Sequence, residues 1–255
     1  MTPRKPRLPG LRKKEGFLRH PFDTQHQTQT SGLVPGRYLA ANHPHDRHNT
    51  AYYGVAPSIF QKLIIYWLES QPDAALENCT FVDIGAGMGR AVLLAAQMPF
   101  REVIGIELNP DLTRIAKKNL RLWKKSGQAQ SPMQIRNEDA TEFTFPLNPC
   151  VIFLFNPFSG TVLRRLLNQI QTQFKYRPNQ LDILYVNHEF EVILKQNPRF
   201  THLWSGNIFK STKDEQADRE ILQNQPEGEY AASEYESCSI YRFTGIPAVT
   251  RKATR

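Results

Sequence analysis

The sequence predicts a three-layer α/β fold built on a mostly parallel sheet, and three observations predict it. Between about residues 57 and 187, short apolar runs alternate with stretches of helical periodicity. One of those runs, Val151 to Phe155, is apolar without a break, as a strand covered on both faces requires. Beyond about residue 198 the alternation stops, and two strand-like segments, Phe200 to Phe209 and Ser239 to Phe243, remain to close the sheet as an antiparallel pair.

The elements follow in order. Phe60, Leu63, Ile64, Trp67 and Leu68 fall at i, i+3, i+4, i+7 and i+8, an amphipathic helix with Pro57 near its first turn. Phe81-Val82-Asp83-Ile84 reads as a buried strand, followed by glycines and a helix that turns Ala91, Leu94, Ala95 and Met98 inward. Val103 to Ile106 is a second strand, and the helix after Pro110 buries Leu112, Ile115, Ala116 and Leu120. Met133 to Arg136 is a short third strand and Val151 to Phe155 the fourth. A helix with Leu163, Leu166, Leu167 and Ile170 inward then leads to a fifth strand, Ile183 to Val186. Strands separated by helices imply right-handed βαβ crossovers. The acidic stretch between the last two strands, with Asp214, Glu215, Asp218, Glu220, Glu227 and Glu229, reads as a long loop, either an insertion or a lid.

Chemistry concentrates at the strand ends. Asp83-Ile84-Gly85-Ala86-Gly87-Met88-Gly89-Arg90 lies between a strand and a helix, where an α/β sheet binds its ligand. Gly85 and Gly87 allow a tight turn and a close approach. A dinucleotide turn needs a small residue where Arg90 stands, and the carboxylate of Asp83 repels a pyrophosphate while suiting an ammonium and a sulfonium, which weighs against a nicotinamide dehydrogenase. Glu107 ends the second strand, where an acid accepts ribose hydroxyls. Asp139-Ala140 follows the third, with an acceptor for an exocyclic amine and room for a ring. Asn156-Pro157-Phe158 follows the fourth, placing an amide, a rigid turn and an aromatic at the mouth.

Taken in this order, the four motifs over residues 57 to 187 resemble those of class I S-adenosylmethionine-dependent methyltransferases, within them a subgroup with Asn-Pro-Phe after strand four. The resemblance implies a Rossmann-like three-layer sandwich whose mostly parallel, seven-stranded sheet has an antiparallel C-terminal strand. It implies S-adenosyl-L-methionine as cofactor, its methionine end held by Asp83, Gly85, Ala86, Gly87 and Gly89, its ribose by Glu107 and its adenine by Asp139 and Ala140. Asn156, Pro157 and Phe158 then form the catalytic end, with Asn156 touching both cofactor and acceptor. Amino-group methyltransferases carry Asn-Pro-Pro-aromatic at this strand end, whereas this chain has Asn156-Pro157-Phe158-Ser159. A looser likeness joins the glycine turn and Ala95-Ala96 to the non-SET histone lysine methyltransferases. The expected activity is in-line methyl transfer to an acceptor nitrogen on a protein side chain or nucleic acid, with a small molecule as a third class of acceptor. The alternative is a cofactor-binding scaffold without catalysis, to which the departure at Asn156 to Ser159 points.

Other features carry less. His188 follows the fifth strand as a candidate base, though a lone His there is more often structural. Tyr52 and Tyr53 precede the first helix, which in related enzymes can roof the cofactor. His43, His45 and His48 crowd one loop, but without a distant acid or Cys partner the spacing is no recognised zinc site, and no metal is expected. Lys117, Lys118, Arg121, Lys124 and Lys125 read as a solvated helix face. Hydrophobic residues at 40% suffice for one sizeable core. The net charge of +8 sits on the ends, since residues 1–20 and 251–255 together carry +9. Those ends can hold an anionic partner weakly, or merely solubilise the chain. The expected organisation is a disordered basic tail over 1–20, an irregular lead-in over 21–56, a catalytic domain over 57–245 and a basic tail over 246–255. Cys79, Cys150 and Cys238 are odd in number and far apart, which with the absence of an apolar leader or span suggests reduced thiols, a cytoplasmic location and no membrane partner.

Overall fold

A computed structural model describes residues 19–40, 43–224 and 230–245; of the expected tails over 1–20 and 246–255, only Arg19 and His20 fall within them, and His20 is buried rather than part of a loose tail. Seven strands form one sheet: β1 (Thr80–Ile84), β2 (Glu102–Glu107), β3 (Met133–Asn137), β4 (Cys150–Phe155), β5 (Leu181–Val186), β6 (Phe200–Phe209) and β7 (Tyr235–Phe243). Their order is β3-β2-β1-β4-β5-β7-β6. β1 to β5 pair in parallel, and β7 runs antiparallel between β5 and β6. The fold is thus a Rossmann-like α/β sandwich with an antiparallel C-terminal strand, as the sequence predicts. The chain leaves β1 in one direction and β4 in the other, so a crevice opens at their carboxyl ends.

Among the described residues, α1 (Pro21–His26) and α2 (Pro57–Glu69) precede the sheet, and α3 (Arg90–Ala95), α4 (Pro110–Lys125), α5 (Gly160–Gln173), α6 (Glu191–Lys195) and α7 (Thr212–Gln223) join its strands. Strand alternation splits the core into two layers. Phe81, Val103, Val151 and Phe153 face α2, α3 and α4, while Val82, Ile104, Ile152 and Leu154 face α5. Asn109 caps α4 by accepting from the backbone N–H of Asp111 and Leu112, with Pro110 at the first position. Among the described residues no helix is long and apolar enough to cross a membrane.

The acidic stretch after β6 is not simply a loop, because α7 occupies its first half. Its inward positions are Asp214, Ala217, Asp218, Ile221 and Leu222, a regular i, i+3, i+4, i+7, i+8 stripe. Two of the five are aspartates, which hides the stripe from a count of apolar residues. Both have buried partners. Asp214 accepts from Ser58 N–H at 2.8 Å and faces His20 Nε2 at 3.4 Å, and Asp218 faces Lys210 Nζ at 2.8 Å.

Candidate functional site

The glycine turn after β1 forms the floor of the site. Gly85 and Ala86 both donate backbone N–H bonds to the Ile106 carbonyl at 2.9 Å, which folds the turn back onto β2. Glu107 accepts from Gly87 N–H and Asn109 N–H, each at 2.7 Å, so one carboxylate ties the turn to the start of α4. Gly87 has φ +55°, and a Cβ there would stand 2.2 Å from the Tyr52 ring; one on Gly85 would stand 2.4 Å from Pro157. These two positions need glycine because a roof lies directly on them.

That roof comes from the lead-in, a role for which residues 21–56 give no periodic signal. Val34 and Tyr52 exchange backbone bonds at 3.0 and 2.8 Å, and Thr50 Oγ1 donates to the Asn156 carbonyl at 2.5 Å. Asn49 bridges to Phe158, so the lead-in runs antiparallel along the loop after β4. The segment is anchored by Arg90, whose Nε donates to Thr30 Oγ1 at 2.7 Å and whose Nη1 donates to the Gly54 carbonyl at 3.1 Å. Asp23 lies 4.0 Å from the guanidinium and accepts from Thr28, Thr30 and Ser31. The residue that breaks the dinucleotide pattern is therefore the anchor of the roof.

Under the roof is a cleft with about 760 Å³ of empty space, its mouth included. Of the residues singled out in the sequence, Gly85, Gly87, Glu107, Asp139, Ala140, Pro157 and Phe158 line it. Asp83 and Ala86 are buried beside the floor, and Gly89 packs behind it against Ala116. Tyr52, Leu39 and Leu112 also line it. Asn156 lies instead on an adjoining second cleft of about 1630 Å³. Asn49, Thr50, Ala51, Tyr53 and Phe155 border both spaces and form the neck between them.

Electrostatically the floor is acidic. Burial, and then the neighbouring charge of Glu107, push Asp83 up to about 8, and burial likewise raises Glu107. Among the described residues, nothing donates a hydrogen bond to the Asp83 carboxylate, and Arg90 is turned away toward Asp23. Asp83, with no donor, and Glu107, with two backbone donors, make an acidic floor beside the exposed Gly85 that repels phosphates and favours a cation. A ligand carrying an ammonium, a sulfonium and a ribose fits that donor set.

At the far end Asp139 is already engaged. Oδ1 accepts from Thr141 N–H and Oγ1 at 2.7 and 2.9 Å, while Oδ2 stands 2.7 Å from His45 Nδ1 and 3.6 Å from His43 Nε2. Asp139 is the distant acid that the histidine spacing lacks in sequence. His45 Nε2 lies 2.5 Å from the Arg165 guanidinium, an obligate donor, and His43 Nδ1 accepts from His45 N–H at 3.2 Å. Both rings therefore accept through their second nitrogen, the reverse of a metal-ligating imidazole, which donates there. The cluster is wired as a clasp between lead-in and β3.

Asn156 has φ +39° and Asn187, at the end of β5, φ +49°, two left-handed asparagines at adjacent strand ends. The Asn156 side chain donates to Glu189 at 3.0 Å and stands 3.4 Å from the Tyr185 hydroxyl. His188 does not join them; its Nδ1 faces Glu191 at 3.7 Å and the residue lines neither cleft.

No known protein-family profile and no curated protein matches the sequence. Solved structures similar to the chain include several methyltransferases. Magnesium protoporphyrin IX methyltransferase from Synechocystis PCC 6803, solved with bound S-adenosylmethionine, is 12% identical over 72% of this chain and 79% of its own, with a TM-score of 0.46. Precorrin-6y C5,15-methyltransferase from Geobacter metallireducens GS-15 is 14% identical over 71% and 88%, with a TM-score of 0.45. Ribosomal protein L11 methylase from Lactobacillus delbrueckii subsp. bulgaricus is 14% identical over 72% and 78%, with a TM-score of 0.43.

Proposed function

We propose that the chain is an S-adenosylmethionine-dependent methyltransferase that uses the roofed cleft for cofactor and the second cleft for acceptor. The single observation that carries this reading is the pair of buried carboxylates flanking a glycine turn, Asp83 without a donor and Glu107 with lone pairs left over. Asp83 and the backbone of Gly85 to Gly87 hold the ammonium end, and Glu107, with lone pairs left after its two backbone bonds, accepts from the ribose. Ala140 and Leu112 line the space for the adenine, where Asp139 can accept from its amine only by sharing with His45. Bound there, the cofactor supplies an activated methyl group.

The chain contributes alignment and exclusion of water. Tyr52 and Pro157 close over the turn, while the neck leaves one way through to the acceptor. On the acceptor side, Glu189 holds the Asn156 amide so that its orientation is fixed, and the exposed Glu189 carboxylate favours an acceptor nitrogen carrying protons. A nitrogen on a protein side chain or a nucleic-acid base meets that requirement.

Titration calorimetry with S-adenosylmethionine tests the reading. Asp83→Ala abolishes binding and Glu107→Ala weakens it several-fold; unchanged affinity in both variants removes the proposal. Incubation with methyl-labelled cofactor and cell extract, followed by nuclease or protease, then identifies the acceptor class. Full cofactor binding without label in any fraction marks the chain as a cofactor-binding scaffold instead.

A further inference from the structure

The far edge of the sheet is a second functional surface. β6 runs for ten residues, Phe200 to Phe209, against the five or six usual for a strand, and hydrogen-bonds to β7 alone. Edge strands of soluble proteins are ordinarily short, or guarded by lysines, acids or prolines. This one, FTHLWSGNIF, contains no Lys, Arg, Asp, Glu or Pro. A register shift between His202 and Trp204 interrupts its first part, which leaves Trp204 to Phe209 as a regular run.

The direction of its free groups can be read. Lys210 N–H donates to the Glu234 carbonyl at 2.9 Å, toward β7. By alternation Ile208 and Gly206 also face β7, and the backbone groups of Ser205, Asn207 and Phe209 face outward. The Phe209 carbonyl agrees, since it accepts from Lys62 Nζ at 2.8 Å. Among the described residues no other bond from outside reaches the outer edge of this regular run. Lys62, Ile65 and Leu68 follow at i, i+3 and i+6 on α2, so the stripe that carries Lys62 to this edge also presents Ile65 and Leu68, 52% and 43% exposed. Phe209, whose side chain alternates with Ile208 and so points to the face away from α2, is 56% exposed.

We infer that a second copy of this chain pairs on this edge, β6 against β6 and antiparallel, about a two-fold axis at Asn207. Such a contact is isologous, so every group at the edge meets the edge of its own copy. A charge at the axis faces itself, which is unfavourable across a ladder, and this strand carries none. An uncharged strand suits self-pairing and gives nothing to steer a charged partner; Lys62 sits at its end on one lone pair of the Phe209 carbonyl, which leaves the other for a Ser205 N–H of the second copy. With the axis at Asn207, the two Asn207 backbones exchange N–H and carbonyl bonds, and Ser205 of one copy meets Phe209 of the other. Two seven-stranded sheets become one continuous sheet, with the clefts of the two copies opening on opposite edges.

The test is sedimentation of the full chain from low to high micromolar concentration, with hydrogen exchange at the same concentrations. The expected result is a reversible dimer in which the Ser205, Asn207 and Phe209 amides become protected as concentration rises. The double substitution Ser205→Lys/Asn207→Lys, at two exposed positions that themselves line neither cleft, weakens the dimer about tenfold or more, with an unchanged far-ultraviolet spectrum as the check on folding. A chain that stays monomeric throughout, a dimer that the lysines leave intact, or protection confined to another surface overturns the inference.

Discussion

Asp23 and Asp83 are almost equally inaccessible, 1% and 4% exposed, and the glycine turn separates Asp83 from Arg90, the partner of Asp23, yet the two acids differ in what surrounds them. Burial alone raises a carboxyl, but at Asp23 the Arg90 guanidinium and three hydroxyls outweigh it and hold the group below its ordinary range. At Asp83 nothing outweighs it, and Glu107 adds to it. The first acid is a finished joint, neutralised from within the chain. The second is an unfinished one, whose counter-charge must arrive from solution. Depth alone therefore does not mark a ligand site; missing compensation does.

The comparison can be broken at the joint first. Arg90→Met leaves Asp23 buried without its cation, and loss of one partner of such a pair costs about 3 to 5 kcal/mol. For a chain of this size that corresponds to a fall in Tm of roughly 6 to 20 °C, read by calorimetry. If stability hardly moves, the three hydroxyls suffice and the guanidinium is not what neutralises Asp23.

The unfinished acid is sharpened by pH. Asp83 binds its proton more tightly folded, up to about 8, than unfolded, at about 3.9. Its contribution to stability is thus full below about pH 4 and is lost as pH rises toward about 8. Cofactor binding has the opposite sign, because an ionised Asp83 attracts the ammonium, so affinity grows as pH rises through about 8. Asp83→Asn flattens both profiles and lowers affinity about tenfold. An affinity independent of pH in the native chain sinks this account.

The smallest effect concerns the neck. The Tyr53 hydroxyl donates to Asp218 at 2.7 Å, and Tyr53→Phe removes that bond at a cost of about 1.5 kcal/mol. Because the ring remains, cofactor affinity changes less than twofold in a filter-binding assay. A larger change would mean that the hydroxyl itself touches the ligand.

Much of the fold was legible because period and strand-end chemistry agree at β1, β2 and β4, where apolar runs end in Asp83, Glu107 and Asn156. α7 was not, because Asp214 and Asp218 hold inward positions that apolar counting assigns to solvent, and their partners, His20 and Lys210, are remote or outside the element. The roof was legible only by resemblance, which pointed to the segment of Tyr52 and Tyr53 without saying what they cover. Tyr52 meets Gly87 across 35 residues, and nothing local encodes that meeting, although the glycine itself hints that something lies close. At His43 and His45 the spacing was visible but Asp139 was not, since the β3 end comes near that loop only in three dimensions.

The way the roof is tied has a consequence for biosynthesis. Its ceiling comes from residues made early, around Tyr52 and Tyr53, and its bracing from Asp214 and Asp218, made more than 150 residues later. A nascent chain emerging from the ribosome exposes Asp83 and Glu107 well before that bracing exists. A fragment ending before Asp214 therefore keeps the Arg90 anchor of the roof but lacks the two later braces.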